Sequence, residues 1–294
     1  FGDILYKNSI PTTDFENEVS LLASIKYNCE QQVSIFEWSE VKAVGIGAPV
    51  VNANTGTIPF SANLQWSMPV HLLQSAQNTF QLPCKISNDA KATTLGEMRY
   101  GVAKNMNDYI VITLGTGVGS GIVSNGKIIN GFTGMASEIG HTILIPNGRQ
   151  CGCGRKGCLE TYTSATGVVK TFLELASNTS EKSTLSNKSN ITAKDITLAA
   201  QANDKLALDT IEQTAQYLGI ALANAAAYTS PEAIILFGGL TQAGDLLLLP
   251  LQQHFQKNVL NILQHSVTIM YASLPAADCA ILGTAALALD AKSK

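Results

Sequence analysis

Hydrophobic and polar positions follow two different periods along the 294-residue chain. Short runs of apolar and β-branched residues are typical of buried strands, whereas apolar residues three or four positions apart are typical of helices. The predicted strands span 41–48, 84–87, 109–114, 120–123, 233–237 and 267–271. The predicted helices span 71–80, 90–103, 159–176, 206–228, 245–263 and 280–291. Because strands alternate with helices, the sequence predicts an α/β fold.

A change in composition near residue 110 predicts a boundary between two domains. We expect a small α/β domain over 1–109 and a larger α/β domain over 110–279. The last helix, 280–291, is rich in Ala, Gly and Leu, and we expect it to pack back on the first domain. The segment 177–190, SNTSEKSTLSNKSN, has almost no apolar residues and predicts a solvated loop.

Charge and hydropathy argue against two classes of protein, those that bind nucleic acids and those that span membranes. Lys and Arg total 19 against 22 Asp and Glu, and the charged fraction is 14%, below the roughly 25% of average proteins. This composition provides no polybasic surface for a nucleic acid. No apolar run approaches the roughly 18 to 20 residues that a membrane helix requires, and no secretory signal precedes the first strand. The sequence therefore predicts a soluble, cytoplasmic protein with neither a nucleic acid nor a membrane as partner.

Three of the six cysteines lie together in the segment CGCGRKGCLE. Such clustering in a reducing compartment favours metal binding over a disulfide. Cys151, Cys153 and Cys158 with His141 supply three thiolates and one imidazole, the ligand set of a closed tetrahedral zinc site. Because no ligand position stays open for water, the Zn²⁺ is predicted to be structural. The alternatives are a cluster of free thiols and a nucleic-acid-binding zinc ribbon, although the surroundings lack the Lys and Arg that a ribbon needs.

Two further segments could take part in binding or catalysis. Glycines alternate in LGTGVGSG, 114–121, where they let backbone N–H groups approach an anion, although a tight hairpin without a ligand fits equally well. The adjoining G-x-x-x-x-G-K has Ile128 in place of the Ser or Thr of a P-loop, and Asn125-Gly126 predicts a hairpin turn instead. Asp89 opens a helix after a short strand, where it is either a general base or an ordinary helix cap.

The segments NDAKATTLGE, TLGTGVGSGIVSNGKIINGFTGMASEIGH and CGCGRKGCLETY together resemble the ROK family of repressors, open reading frames and kinases. Among its members the bacterial glucokinases are the most similar, over residues 41–291. The resemblance implies a two-domain α/β fold of the actin and hexokinase-like (ribonuclease H-like) type. Sugar and ATP would meet in its interdomain cleft, beside a structural zinc loop at 141–160. It also implies a homo-oligomer, either a dimer or a tetramer.

The resemblance assigns a role to each matching residue. Asp89 corresponds to the general base that takes the proton from the sugar hydroxyl attacking the γ-phosphate. The residues that match sugar ligands are Asn63, Asn88, Asp89, Glu138, His141 and Glu160. The residues that match the ATP site are Thr116 and Gly117 in a phosphate loop, and Gly238 and Gly239 beside the adenosine. His141 would therefore bind zinc through one ring nitrogen and face the sugar with the other.

One feature of the family is absent from this sequence. Family members begin with a strand and a D-x-G-G-T loop, which contacts the ATP phosphates and whose Asp helps to position Mg²⁺. We expect an N-terminal segment carrying this loop to be omitted from the sequence, because the chain starts without Met. The alternative is a chain that has lost its phosphate contacts and binds sugar without catalysis.

These observations predict one function and leave three alternatives open. The chain is expected to phosphorylate glucose to glucose 6-phosphate, with ATP and Mg²⁺ as cofactors and Zn²⁺ as a structural ion. A kinase of N-acetylhexosamines or other hexoses is one alternative, and a non-catalytic sugar-binding protein is another. A sugar-responsive transcriptional regulator is the third alternative. It needs a helix-turn-helix, and residues 1–40 show no pair of basic helices.

Overall fold

The computed structural model describes residues 2–32, 34–60 and 64–292. Two compact units form the molecule. Unit 1 comprises Phe1–Asn105, Ile128–Ala136 and Ser273–Lys294, and unit 2 comprises Met106–Lys127 and Ser137–Ala272. The chain therefore passes between the units four times, after residues 105, 127, 136 and 272.

Strands and helices alternate through most of the chain, as an α/β fold requires. The strands of the described residues are β1 (Val44–Ala48), β2 (Cys84–Asn88), β3 (Tyr109–Leu114), β4 (Val118–Ser124), β5 (Lys127–Ile128), β6 (Ala233–Phe237) and β7 (Thr268–Tyr271). The helices are α1 (Glu18–Glu30), α2 (Leu72–Phe80), α3 (Asp89–Tyr100), α4 (Glu160–Thr163), α5 (Ala165–Ser177), α6 (Ala193–Gln201), α7 (Lys205–Thr229), α8 (Asp245–Asn258) and α9 (Ala276–Lys292). Within the described residues, no helix is both long enough and apolar enough to span a membrane.

Unit 1 contains a parallel pair of strands, β1 and β2, with Ala48 opposite Asn88 at their carboxyl ends. An apolar core that includes Leu22, Ile58, Trp66, Phe80 and Ile86 lies under these strands. Helices α3 and α9 contact each other backbone to backbone. A Cβ atom on Gly283 would lie only 1.7 Å from the carbonyl oxygen of Ala92, so no larger residue fits there.

Unit 2 contains a five-stranded sheet in the order β5-β4-β3-β6-β7. Strand β3 pairs antiparallel with β4 and parallel with β6, and β6 pairs parallel with β7. The central strand contributes fully buried side chains such as Ile110 and Ile112 to a core shared with α5 to α8. Helix α7, of 25 residues, begins at the N-cap Asp204, whose carboxylate accepts a hydrogen bond from the Ala207 N–H.

The hairpin turn predicted between β4 and β5 is confirmed. Asn125 and Gly126 have φ values of 50° and 70°, the positive values that favour Asn-Gly in a two-residue hairpin. The segment is therefore a β-turn and not a P-loop. The predicted loop at 177–190 is also confirmed, since no helix or strand lies between Ser177 and Ala193. Most of its residues are exposed, but Ser183 is buried and Leu185 packs against the core.

The predicted single helix over 159–176 is wrong. Ser164 is extended, with ψ of 169°, and separates α4 from α5. Its side-chain oxygen accepts a hydrogen bond from the Gly167 N–H and so caps α5. A β-carbon on Gly167 would lie 2.7 Å from the Tyr162 backbone. The break therefore depends on a capping serine and a close approach that only glycine allows.

Other predicted boundaries also shift. The strand predicted from 41 begins at Val44, because Val41 closes a short 3-10 turn at Trp38–Glu40. The helix predicted to reach 263 ends at Asn258, since Val259 is extended. Helices α1 and α6 were not predicted from the sequence. Helix α6 starts at a capping box made by Thr192 and Asp195, a signal that was present in the sequence.

Candidate functional site

Asn88 and Asp89 lie in unit 1, where β2 ends and α3 begins. The Asn88 side-chain oxygen accepts hydrogen bonds from the N–H groups of Ala90 and Lys91, at 2.9 and 3.3 Å, so Asn88 is the helix cap. The Asp89 carboxylate is exposed, and its Oδ1 accepts from the Ala90 N–H at 2.8 Å. The capping role considered for Asp89 therefore falls mainly to Asn88. Asn63, the remaining unit 1 residue of the predicted sugar site, lies outside the described residues.

The environment of Asp89 suits an accessible anion. The helix N-terminus stabilises a negative charge there. Among the described residues, no hydrogen bond reaches Oδ2 of Asp89. A carboxylate with one oxygen held by the backbone and the other accessible to solvent can accept a proton from a substrate hydroxyl.

Glu138 and His141 lie in unit 2, where Glu138 precedes and His141 ends the short 3-10 turn Ile139–His141. Ser120 on β4 donates a hydrogen bond to the Ser137 carbonyl and accepts one from the Ile139 N–H. The turn is thereby held against β4. Glu138 is exposed and His141 is half-buried, so both side chains are accessible at this turn.

The predicted zinc ligands come together. One nitrogen or sulfur atom from each of His141, Cys151, Cys153 and Cys158 lies within 4.8 Å of all the others. The Nδ1 of His141 is 3.6 Å from Cys151 Sγ, and Cys153 Sγ is 3.6 Å from Cys158 Sγ. Tetrahedral ligands about 2.3 Å from a zinc ion stand about 3.8 Å apart. The four side chains therefore fit a closed, four-coordinate zinc site.

The backbone between these ligands folds tightly. Gly157 has φ of +80°, and a β-carbon there would lie 1.8 Å from the Ile145 carbonyl oxygen. A small degree of burial raises the pKa of the Cys153 thiol, but hydrogen bonds from Arg155 and from the neighbouring cysteines outweigh it and lower that pKa to about 6. Burial raises the pKa of the Cys151 thiol to about 12 and also raises that of Cys158. Zinc binds the thiolate form, so metal binding at this cluster would release protons from these two thiols.

Glu160 joins the cysteine cluster to the glycine-rich turn after β3. It begins α4, two residues after Cys158. Its Oε2 accepts a hydrogen bond from the Val118 N–H at 2.9 Å, and its Oε1 is 3.8 Å from Cys151 Sγ. A β-carbon on Gly117 would lie 2.4 Å from the same Oε2. Gly117 therefore has a structural role as the neighbour of this carboxylate.

The two predicted ATP-binding segments meet at one edge of the unit 2 sheet. Thr116 and Gly117 follow β3, and Gly238 and Gly239 follow β6, its parallel neighbour. Gly238 has φ of +113°, and a β-carbon there would lie 2.5 Å from the carbonyl oxygen of Leu114. Thr116 is exposed, and a β-carbon on Gly239 would meet open space. Carboxyl ends of parallel strands are the usual position of ligands in α/β sheets.

Three residues that organise these elements were not singled out from the sequence. Arg149 donates to the carbonyl oxygens of Thr161 and Gly167 and forms a bidentate pair with Glu174. It thus fixes α4, the helix that carries Glu160. Lys91 and Glu97 are buried charges on α3. Their only sequence signal is their place in NDAKATTLGE, because charged residues in a helix are ordinarily exposed.

Comparisons with known proteins agree with this architecture. The ROK family model matches residues 2–291. A glucokinase of Halalkalibacterium halodurans is 38% identical over 262 residues, which are 87% of this chain and 79% of the relative. A ROK family glucokinase from Streptomyces griseus, solved with glucose and AMPPNP, superposes with a TM-score of 0.78 at 30% identity, over 94% of this chain and 89% of that one. A ROK family transcriptional regulator, a homologue of the E. coli MLC protein, superposes with a TM-score of 0.82 at 26% identity, over 94% and 69% of the two chains.

The α/β fold is therefore that of the actin and hexokinase-like kinases. The chain belongs to the ROK family, as its motifs predicted. Both sugar kinases and transcriptional regulators occur among its relatives.

Proposed function

We propose that this protein is an ATP-dependent hexose kinase that converts glucose to glucose 6-phosphate. The observation that carries the proposal is Asp89, an exposed carboxylate at the start of a helix in a chain 38% identical to a glucokinase. Its Oδ1 is held by the Ala90 N–H, which fixes the carboxylate orientation. Oδ2 then accepts the proton of the sugar 6-hydroxyl as its oxygen attacks the γ-phosphate.

In this proposal the unit 2 residues Glu138, His141 and Glu160 bind hydroxyls of the sugar. Two carboxylates accept hydrogen bonds from hydroxyl groups, and the imidazole donates or accepts one. Zinc at the cysteine cluster would hold His141 and the start of α4, and so would orient these groups without contacting the reacting atoms. On the unit 1 side, Asn88 caps α3 and Asn63 is assigned to the sugar.

ATP is assigned to the sheet edge formed by Thr116, Gly117, Gly238 and Gly239, where small residues leave room for a phosphate chain and an adenosine. Mg²⁺, when bound with ATP, neutralises phosphate charge. The family resemblance assigns the Mg²⁺-positioning Asp to the D-x-G-G-T loop, which this sequence does not contain, so no residue of this chain is assigned to the ion. The same proposal includes a cytoplasmic location, since thiolate zinc ligands persist in a reducing compartment. It also includes a dimer or tetramer, which the family resemblance implies.

A sugar-responsive regulator is the second candidate, because the TM-score of 0.82 to a ROK transcriptional regulator is as high as those to the kinases. Such a protein binds the sugar and needs no general base. Turnover therefore separates the two functions, whereas sugar binding does not.

The test is ADP release by the purified chain with glucose and MgATP, followed by detection of glucose 6-phosphate with its dehydrogenase. A kinase forms ADP and glucose 6-phosphate in equal amounts, with kcat of the order of 1 to 100 s⁻¹. Sugar binding without ADP release above that of a sugar-free control would contradict the proposal and support the regulator.

A further inference from the structure

Two charged side chains on α3 are buried and take no part in the proposed reaction. Glu97 is fully buried and Lys91 is 2% exposed. Burying a charge is costly unless hydrogen bonds replace its water. Their partners therefore show what these residues hold in place.

Glu97 binds the chain next to two of its four passages between the units. Its Oε2 accepts from the Val102 N–H at 2.9 Å, three residues before the passage after residue 105. Its Oε1 accepts from the Leu274 N–H at 3.0 Å, and Ser273 adds two longer contacts, just after the passage at residue 272. One carboxylate thus ties two segments that are distant in sequence.

The position of Glu97 is not explained by helix stability. It lies in the last turn of α3, where the helix dipole disfavours a negative charge. Gly101 makes room for it, because a β-carbon there would lie 1.9 Å from Glu97 Oε2. Burial and the Glu97 charge raise the pKa of the adjacent Cys279 thiol to about 12, so Cys279 stays a neutral thiol beside the carboxylate.

Lys91 binds the segment between the other two passages. This segment, Ile128–Ala136, is the part of unit 1 that lies between two stretches of unit 2. The Lys91 ammonium donates to Asn130 Oδ1 at 3.2 Å and to the Gly134 carbonyl oxygen at 3.3 Å. Because Lys91 is buried, its ammonium group is held at these two acceptors.

We propose that α3 anchors every segment through which the chain passes between its units, and that Glu97 and Lys91 are positioning residues for catalysis. Asp89 begins the same helix, so the helix that carries the proposed base also fixes the points at which the chain leaves and re-enters unit 1. Hinge positions of this kind control kcat and KM together without touching the substrate. The kinetic part of this inference rests on the proposed kinase function, whereas the anchoring part does not.

The anchoring is tested by hydrogen exchange of the full chain without sugar. In Glu97→Gln, one carboxylate oxygen becomes an NH₂ group and faces a backbone donor. Exchange at Val102, Ser273 and Leu274 should accelerate by at least about tenfold, because hydrogen bonds to charged groups contribute about 1.5–3 kcal/mol. In Lys91→Met, the corresponding acceleration should appear in 129–136 and not at Val102.

Asp204→Asn provides the matched control. Asp204 is 7% exposed and accepts from Ser183, Thr184 and Ala207, so it is a buried carboxylate whose hydrogen-bond partners lie within unit 2, away from the passage segments. At a temperature well below unfolding, Glu97→Gln should lower kcat and raise the glucose KM, each by about threefold or more. Asp204→Asn should leave both constants within about twofold of wild type.

Unchanged exchange at Val102 and Leu274 in Glu97→Gln would overturn the anchoring, and so would faster exchange spread evenly over the whole chain. If Glu97→Gln does not fold, Lys91→Met decides the proposal through residues 129–136. Glu97→Gln could also exchange faster at Val102 and Leu274 while its kinetic constants equal those of Asp204→Asn. That result would show that Glu97 has only a structural role. A wild-type chain without kinase activity would contradict the proposed function, while the exchange data would still decide the anchoring.

Discussion

Gly117 is the residue at which the glycine-rich turn meets the predicted sugar site. Glycine there permits Oε2 of Glu160 to approach the turn and accept the Val118 N–H. Gly115, two residues earlier, has open space where its β-carbon would be. Two glycines of the same turn therefore differ in what a methyl group would meet.

Gly117→Ala should displace the Glu160 carboxylate and break its hydrogen bond to Val118. A lost hydrogen bond to a charged group costs about 2 kcal/mol, which corresponds to a Tm lower by about 3 °C in a chain of this length. Gly115→Ala should change the free energy of unfolding by less than about 0.5 kcal/mol. Thermal unfolding of both variants checks this. Equal Tm values would show that Glu160 does not depend on Gly117.

The cysteine-rich loop between His141 and α4 contains the predicted zinc ligands. Its four ligand side chains converge within 4.8 Å, and Glu160 follows directly after the last of them. Zinc bound at these ligands would stabilise the loop by joining His141 to the segment that carries the three cysteines. We therefore expect metal binding to affect the proposed sugar site through the position of Glu160.

Cys153→Ser should remove the metal, because a serine hydroxyl is a poor zinc ligand, and should lower glucose turnover by displacing Glu160. Cys153 is exposed, so the substitution itself disturbs little packing. Cys29→Ser, outside the cluster, should keep the metal. Elemental analysis should find about one zinc per chain in wild type. Much less than one equivalent in freshly purified wild-type protein would contradict the zinc site.

Local signals explain which elements could be predicted from the sequence. Strand β3 and helix α7 have long, periodic apolar patterns, and both were predicted within a few residues. The cysteine spacing gave the ligand cluster directly. The break at Ser164 was missed because it depends on a cap and on the close approach at Gly167, neither of which alters the hydrophobic period. Helix α1 has only one buried residue, Leu22, and so carries no strong apolar stripe.

At the scale of the whole molecule, the roles of Lys91 and Glu97 lay beyond sequence reasoning. Each binds residues at least 39 positions away, apart from the Glu97 contact to Val102. Such partners become neighbours only through the tertiary structure. The resemblance to the ROK family instead predicted the family and the fold, both of which are confirmed.

Sugar preference depends on which hydroxyl groups of the sugar the proposed ligands contact. A site that hydrogen-bonds a hydroxyl discriminates against an analogue that leaves its polar groups unpaired. Glu138, His141 and Glu160 suit an unsubstituted 2-hydroxyl, so kcat/KM for glucose should exceed that for N-acetylglucosamine or N-acetylmannosamine by at least about tenfold. An ADP-release assay over the three sugars measures this. A tenfold preference for an N-acetylhexosamine would retain the kinase and exclude the glucokinase.

The central claim is that this chain phosphorylates glucose with Asp89 as the base, and Asp89→Asn tests it most directly. The variant keeps the shape of the side chain but cannot accept the proton. Asp195→Asn is the control for loss of a carboxylate in the first turn of a helix, because Asp195 lies in the first turn of α6 and its pKa is lowered to about 2 by hydrogen bonds from Lys188 and Thr192.

Glucose 6-phosphate formation should fall by at least about 10²-fold in Asp89→Asn, while glucose binding persists and Asp195→Asn stays within about twofold of wild type. Turnover by Asp89→Asn within about threefold of an active wild type would contradict the claim, because general-base loss costs far more than that.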